Sequence, residues 1–91
     1  MNVEIHIPTA LRPQTNGCEK VTVQGSTVRE ALTALVAKFP DLSHKLFKDH
    51  NSINRFINIY VNDEDIRFMD NLDTELNSGS EISIVPAIAG G

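Results

Sequence analysis

One stretch of the chain carries helical periodicity, and it lies between segments that alternate. Val28, Leu32, Leu35, Val36 and Phe39 fall on one helical face, with Ala31 beside them and Arg29, Thr33 and Lys38 elsewhere. Thr27 and Glu30 have the spacing of a capping box, in which hydroxyl and carboxylate each satisfy an orphan backbone N–H. Pro40 stops the helix. Ahead of it, Val3, Ile5 and Ile7 alternate with Asn2, Glu4 and His6, and Lys20 to Gln24 alternates again before Gly25. Thr9 to Asn16 reads as a loop, with Pro13 and the Asn16-Gly17 pair as turn signals, so the two strands form a hairpin.

After the helix, Leu42, Leu46 and Phe47 predict a helical turn at the edge of the core, followed by a polar loop from Asp49 to Asn54. Phe56 to Val61 reads as a strand with Ile57, Ile59 and Val61 on one face and Asn58 and Tyr60 on the other. Asn62, Asp63 and Glu64 read as a turn, and Ile66, Arg67 and Phe68 as a short strand. Asp70 to Leu76 holds a turn of helix with Leu72 and Leu76 inward, and Ser78-Gly79 leads into a last strand with Ile82 and Ile84 inward. A hairpin, a crossover helix and further strands give an α+β fold, a mixed sheet with one main helix packed on one face. The solution expected for this order is the ubiquitin-like β-grasp, with the first and last strands parallel in the centre. The chain of 91 residues makes one domain, assigned to residues 1–85, and residues 86–91 form a flexible tail ending in Gly90-Gly91.

Size and charge narrow the function classes. A domain this small holds a modest core but hardly a deep substrate cavity as well, which favours a carrier or binding protein over a self-sufficient enzyme. Eight basic and twelve acidic residues give a net charge of -4, and the basic residues are scattered singly. Phosphate recognition needs concentrated positive charge, so neither nucleic acid nor an anionic membrane is expected as a partner. One cysteine, Cys18, allows no internal disulfide, and no secretory or membrane-spanning run is evident, so the expected location is cytoplasmic. No nucleophile–base pair or phosphate loop stands out, so no catalytic residue is assigned. His6, His44 and His50 match no ligand spacing, so no metal site is expected. Cys18 reads as a small residue at a strand edge, and Asp63, Glu64 and Asp65 as a solvated hairpin turn.

The residues then become recognisable. Ile7 to Pro13 (IPTALRP), Arg55 to Phe68 (RFINIYVNDEDIRF) and Ile84 to Gly91 (IVPAIAGG) carry a resemblance that spans the whole chain. The chain resembles the ThiS/MoaD family of ubiquitin-like sulfur carriers, and within it the CysO-type carriers that work with a cysteine synthase. The resemblance implies that an E1-like enzyme adenylates the carboxylate of Gly91 with ATP, and that sulfur then displaces AMP to leave a thiocarboxylate. It further implies a pyridoxal-phosphate-dependent cysteine synthase as acceptor and a metal-dependent peptidase that releases cysteine, with all catalysis on those partners. Gly90 is expected to give access to a partner's channel, since glycine allows close backbone approach, and Pro86, Ala87, Ile88 and Ala89 to form the tail that partners grip. Phe56, Tyr60 and Val85 are expected to form a docking surface on the sheet face away from the helix, and Leu11 and Arg12 are further candidates for partner contact. Alternatives are a molybdopterin-type or thiamin-type sulfur carrier, or a ubiquitin-like modifier conjugated to lysines.

Overall fold

The computed structural model describes residues 2–49 and 52–86. Alternation places the four longest strands as expected. Strand β1 (Asn2–His6) pairs antiparallel with β2 (Lys20–Gln24), with Val3 opposite Val23 and Ile5 opposite Val21. Helix α1 (Val28–Lys38) follows, then a 3₁₀ turn over Pro40–Leu42 and a short α2 (Ser43–Leu46). Strands β3 (Phe47–Asp49) and β4 (Ser52–Ile53) pair in a two-stranded sheet of their own. Strand β5 (Ile57–Val61), β6 (Glu64–Asp65) and β7 (Glu81–Pro86) complete a five-stranded sheet in the order β2-β1-β7-β5-β6. The first and last strands lie side by side and parallel, with Ile5 opposite Ile82. This is the ubiquitin-like β-grasp.

The core lies between the sheet and α1. Val3, Ile5, Val21, Val23, Ile59, Val61, Ile82 and Ile84 bury their side chains against Val28, Ala31, Leu32 and Leu35. Leu42, Leu46, Leu72 and Leu76 close the ends of this layer. Val36 and Phe39, also on the apolar stripe of α1, pack against its margin and remain partly exposed. Truncating a fully buried leucine such as Leu32 in so small a core costs about 2–5 kcal/mol.

Local chemistry corrects several details. Thr27 Oγ1 accepts the Glu30 N–H at 3.2 Å, as a helix cap should. The Glu30 carboxylate, however, reaches one residue further back than a capping box requires: its Oε1 accepts from both the N–H and the hydroxyl of Ser26, each at 2.8 Å. Those bonds, the backbone one foremost, hold the Glu30 carboxyl below its ordinary value. The expected loop after β1 is a 3₁₀ segment, Thr9–Thr15, which accommodates Pro13. It buries Leu11 and Thr15, and the Thr15 hydroxyl donates toward the carbonyls of Arg12 and Cys18. Part of the polar loop expected over Asp49 to Asn54 belongs to the small β3–β4 sheet. Ile66–Phe68 is 3₁₀ rather than strand, because Asp65 caps it by accepting the Arg67 N–H at 2.8 Å. The strand at this place is β6, joined to β5 by Asn62 and Asp63, whose φ angles of 49° and 70° suit a two-residue hairpin turn.

Candidate functional site

Strand β7 is held on both sides. Glu81 to Ser83 pair with β1, and Ile82 to Pro86 pair with β5, ending with Pro86 opposite Ile57. Pro86 was assigned to the tail by sequence but closes the strand. A proline lacks an N–H and is tolerated there because β1 has already ended beside it, leaving that side of the strand without a ladder partner. Whatever follows Pro86 therefore departs from a point fixed by a central strand, at the end of the sheet where β5 begins. Ala87, Ile88, Ala89, Gly90 and Gly91 lie outside the described residues.

The face of the sheet away from α1 carries part of the expected docking surface. Val85 stands opposite Asn58, and Tyr60 opposite Ser83, so Val85 and Tyr60 occupy diagonal positions on one face. Val85 is 41% exposed, a large value for an apolar strand residue, and Tyr60 is half-buried. Phe56 does not belong to the strand. It sits in the preceding turn, 44% exposed, its ring 5.0 Å from the Arg55 guanidinium. Phe68, which sequence reading placed in a strand and did not single out, is 82% exposed, the most solvent-facing large apolar residue described. Its signal is an aromatic residue directly after a capped 3₁₀ start, where the segment is too short to turn the ring inward.

Electrostatics around this face are ordered by Asp65 and Arg67. Asp65 is opposite Tyr60 in the ladder and is buried, contrary to the solvated turn expected for it; Asp63 and Glu64 remain exposed. Its carboxylate accepts from Arg67 Nη2 at 2.7 Å, from Nε at 3.1 Å and 3.2 Å, and from the Arg67 backbone. The Arg67 side chain, more than the backbone bond, holds the Asp65 carboxyl below its usual range and raises the guanidinium in return. The two groups border an open cleft of about 440 Å³ floored by Ile53, Ile57, Ile59, Ile66 and Leu72. Arg29, on its rim, is paired with Asp73 at 3.5 Å. The cleft lining includes no histidine, cysteine or lysine.

The remaining candidates separate. Leu11 is buried in the core and cannot meet a partner, whereas Arg12 bonds the Ile7 carbonyl through Nε and faces Glu19 at 3.7 Å. Cys18 is exposed and unpaired as a thiol. His6 lies against Glu4 and Glu81, and His44 belongs to α2; His50 lies outside the described residues. No described helix is long and apolar enough to cross a membrane.

A family model described as the ThiS family matches residues 5–91. The sulfur carrier protein CysO of Mycobacterium tuberculosis is 42% identical over 93 aligned positions, covering 100% of both chains. CysO in the crystal structure of the BexX/CysO complex of Amycolatopsis orientalis superposes with a TM-score of 0.91 at 40% identity, covering 98% of this chain and 99% of that one. The solution structure of small archaeal modifier protein 1 from Methanosarcina acetivorans superposes at 0.88 with 28% identity, covering 99% of this chain and 96% of that one.

Proposed function

Since the chain belongs to the ThiS family, we propose that it is a sulfur carrier whose cargo rides on the carboxylate of Gly91 and feeds cysteine biosynthesis. The observation that carries this reading is the full-length likeness to CysO, a sulfur carrier, in a family match that runs through Gly91. The fold supports it. A strand braced on both sides delivers the terminal segment from a fixed point, so docking of the domain also aims the terminus.

The chemistry proceeds on partners. An E1-like enzyme joins the Gly91 carboxylate to the AMP of ATP with release of pyrophosphate, which turns a poor acyl group into a reactive one. A sulfur nucleophile displaces AMP and leaves the thiocarboxylate. That group is ionised at neutral pH and strongly nucleophilic, and holding it on a protein replaces a diffusing sulfide by a tethered reagent. It then attacks a serine-derived acceptor on a pyridoxal-phosphate-dependent cysteine synthase, and a metal-dependent peptidase frees the cysteine. Gly90 gives access, Ala87 to Ala89 are gripped in the partner's channel, and the channel excludes water from the intermediate. Val85, Tyr60 and Phe56 form the docking face. The Amycolatopsis CysO was solved with BexX, which supports engagement of a partner protein by a scaffold of this shape.

The test is to incubate the chain with the E1-like enzyme of its host, ATP and a sulfide source, and to measure its intact mass. Exchange of one oxygen of Gly91 for sulfur is the expected product, and capture of a pyridoxal-phosphate-dependent cysteine synthase by the loaded form identifies the acceptor. An unchanged mass under conditions that activate a known carrier overturns the reading. Capture of a molybdopterin or thiazole synthase moves the chain to another branch of the family. The likeness to small archaeal modifier protein 1 favours a second reading, conjugation to lysines. High-mass conjugates on a denaturing gel that vanish when Gly91 is deleted select it.

A further inference from the structure

Three side chains on the outer face of the two central strands converge on one point. Glu4 and Glu81 are partners in the parallel β1–β7 ladder, and His6 lies two residues beyond Glu4 on the same face. His6 Nε2 is 2.9 Å from Glu4 Oε1 and 3.0 Å from Glu81 Oε1. We propose that Glu4, His6 and Glu81 form a binding site for a divalent transition-metal ion of the zinc type.

Geometry and chemistry both point there. Ligand atoms bound to zinc at about 2.0–2.2 Å lie roughly 3.3–3.6 Å apart around a tetrahedral ion. The separations of 2.9 Å and 3.0 Å are shorter than that spacing, so outward movement of the long side chains is needed to admit the ion. One ring nitrogen carries at most one proton, yet two carboxylate oxygens are aimed at it; a cation shared by all three answers the arrangement more fully. An imidazole with two carboxylates suits zinc and its neighbours, whereas magnesium and calcium prefer oxygen alone. The backbone beneath is preorganised, because β1 and β7 are interior strands of the five-stranded sheet. Three protein ligands leave a coordination position for water or for a group from a docked molecule. The nearest competing cation is the Lys20 ammonium, 3.8 Å from Glu4 Oε1.

The site was invisible to ligand-spacing rules because Glu81 lies 75 residues from His6 in the chain and meets it only through strand pairing. The experiment is a titration of the full chain with zinc sulfate, followed by the ring-nitrogen resonances of its histidines and by calorimetry. The expected result is one zinc per chain, with the largest shift at His6 Nε2. His6→Ala and, separately, Glu81→Gln each weaken binding by at least the roughly tenfold that losing even an outer-shell partner costs. Glu81→Gln preserves side-chain shape, so its loss of affinity cannot be assigned to unfolding. Lys20→Gln tightens binding by removing a like charge, an effect that a plain ion pair does not produce. Shifts confined to His44 or His50, unchanged affinity in His6→Ala, equal binding of magnesium, or no response to zinc each overturn the proposal and leave an ion-pair cluster only.

Discussion

A β-carbon on Gly25 would lie 2.8 Å from the backbone nitrogen of Ala31 and 3.1 Å from its α-carbon. Strand β2 therefore ends where helix α1 begins to press on the chain, and only a glycine fits between them. The atoms in the way are backbone inside a helix, so they cannot swing aside. Gly25→Ala is expected to cost about 1–3 kcal/mol, the usual penalty of overpacking, read from urea denaturation. Gly17→Ala is the contrast. Nothing stands within 4 Å of its would-be β-carbon, but its φ is +82°, so the cost there is backbone strain of about 1–2 kcal/mol.

The start of α1 is held by two separate devices, and they can be removed separately. Thr27→Ala removes the acceptor for the Glu30 N–H and should destabilise the domain by about 1 kcal/mol. Ser26→Ala leaves that cap in place and removes one of the two Ser26 bonds to Glu30 Oε1. The double variant should fall short of the summed effects if the Glu30 side chain depends on the Thr27 cap for its position, which a double-mutant cycle measures.

Acid stability should report the Asp65–Arg67 pair. The Asp65 carboxyl is depressed in the folded chain below its ordinary value of 3.8, chiefly by the Arg67 side chain. A depressed carboxyl contributes stability that is fully present above the unfolded value and is lost as pH falls through the folded one. Asp65→Asn should therefore lower Tm at neutral pH, and the gap to the parent chain should close only below pH 3.8. Glu30 titrates with the same sign from an ordinary value of 4.5, so the parent's own acid curve contains both groups, and the difference between the two chains isolates Asp65. A gap that persists undiminished well below that pH would show that Asp65 acts through packing instead.

The docking face is testable at Val85. The side chain is 41% exposed, so Val85→Lys should change stability by no more than about 1 kcal/mol, the span of strand propensities. If partners bind this face, loading by the E1-like enzyme should slow by roughly tenfold or more, as for a central interface residue. Phe68→Ser, in the exposed 3₁₀ segment that follows β6, separates a partner that reaches past the edge strand from one confined to the β7 side.

The strands and the main helix were legible because their apolar spacing runs over five or more residues, long enough to distinguish a period of two from one of 3.6. Val3-Ile5, Val21-Val23 and the stripe from Val28 to Leu35 all point where their spacing says. Ile66-Arg67-Phe68 failed because three residues have no measurable period, and the deciding contact is the Asp65 carboxylate on the Arg67 N–H. Thr9 to Asn16 was taken for an open loop because Pro13 and Asn16-Gly17 are turn signals, yet Pro13 lies inside a 3₁₀ segment that Asn16 ends and whose Leu11 enters the core. Pro86 was placed in the tail because proline ends central strands, but the strand has lost one neighbour by that point. Asp65 was misread, and the meeting of Glu4, His6 and Glu81 was not seen, for a common reason: burial and pairing are set by segments distant in sequence, and one chain read alone carries no record of them.

Gly90→Val is the sharpest test of how the terminus is used. If the carboxylate of Gly91 enters a partner's channel, the residue before it must pass where backbone approaches backbone, and a branched side chain cannot follow. The substitution follows β7 in the sequence, and the core among the described residues is complete without it, so Tm should match the parent chain. Intact-mass analysis after incubation with the E1-like enzyme, ATP and sulfide should then find no thiocarboxylate. Gly90→Ala, with one methyl group, should load more slowly but reach the same product. Normal loading of the valine variant would mean that the partner reads the folded domain alone, and the steric account of the glycine pair would have to be abandoned while the carrier reading itself survived.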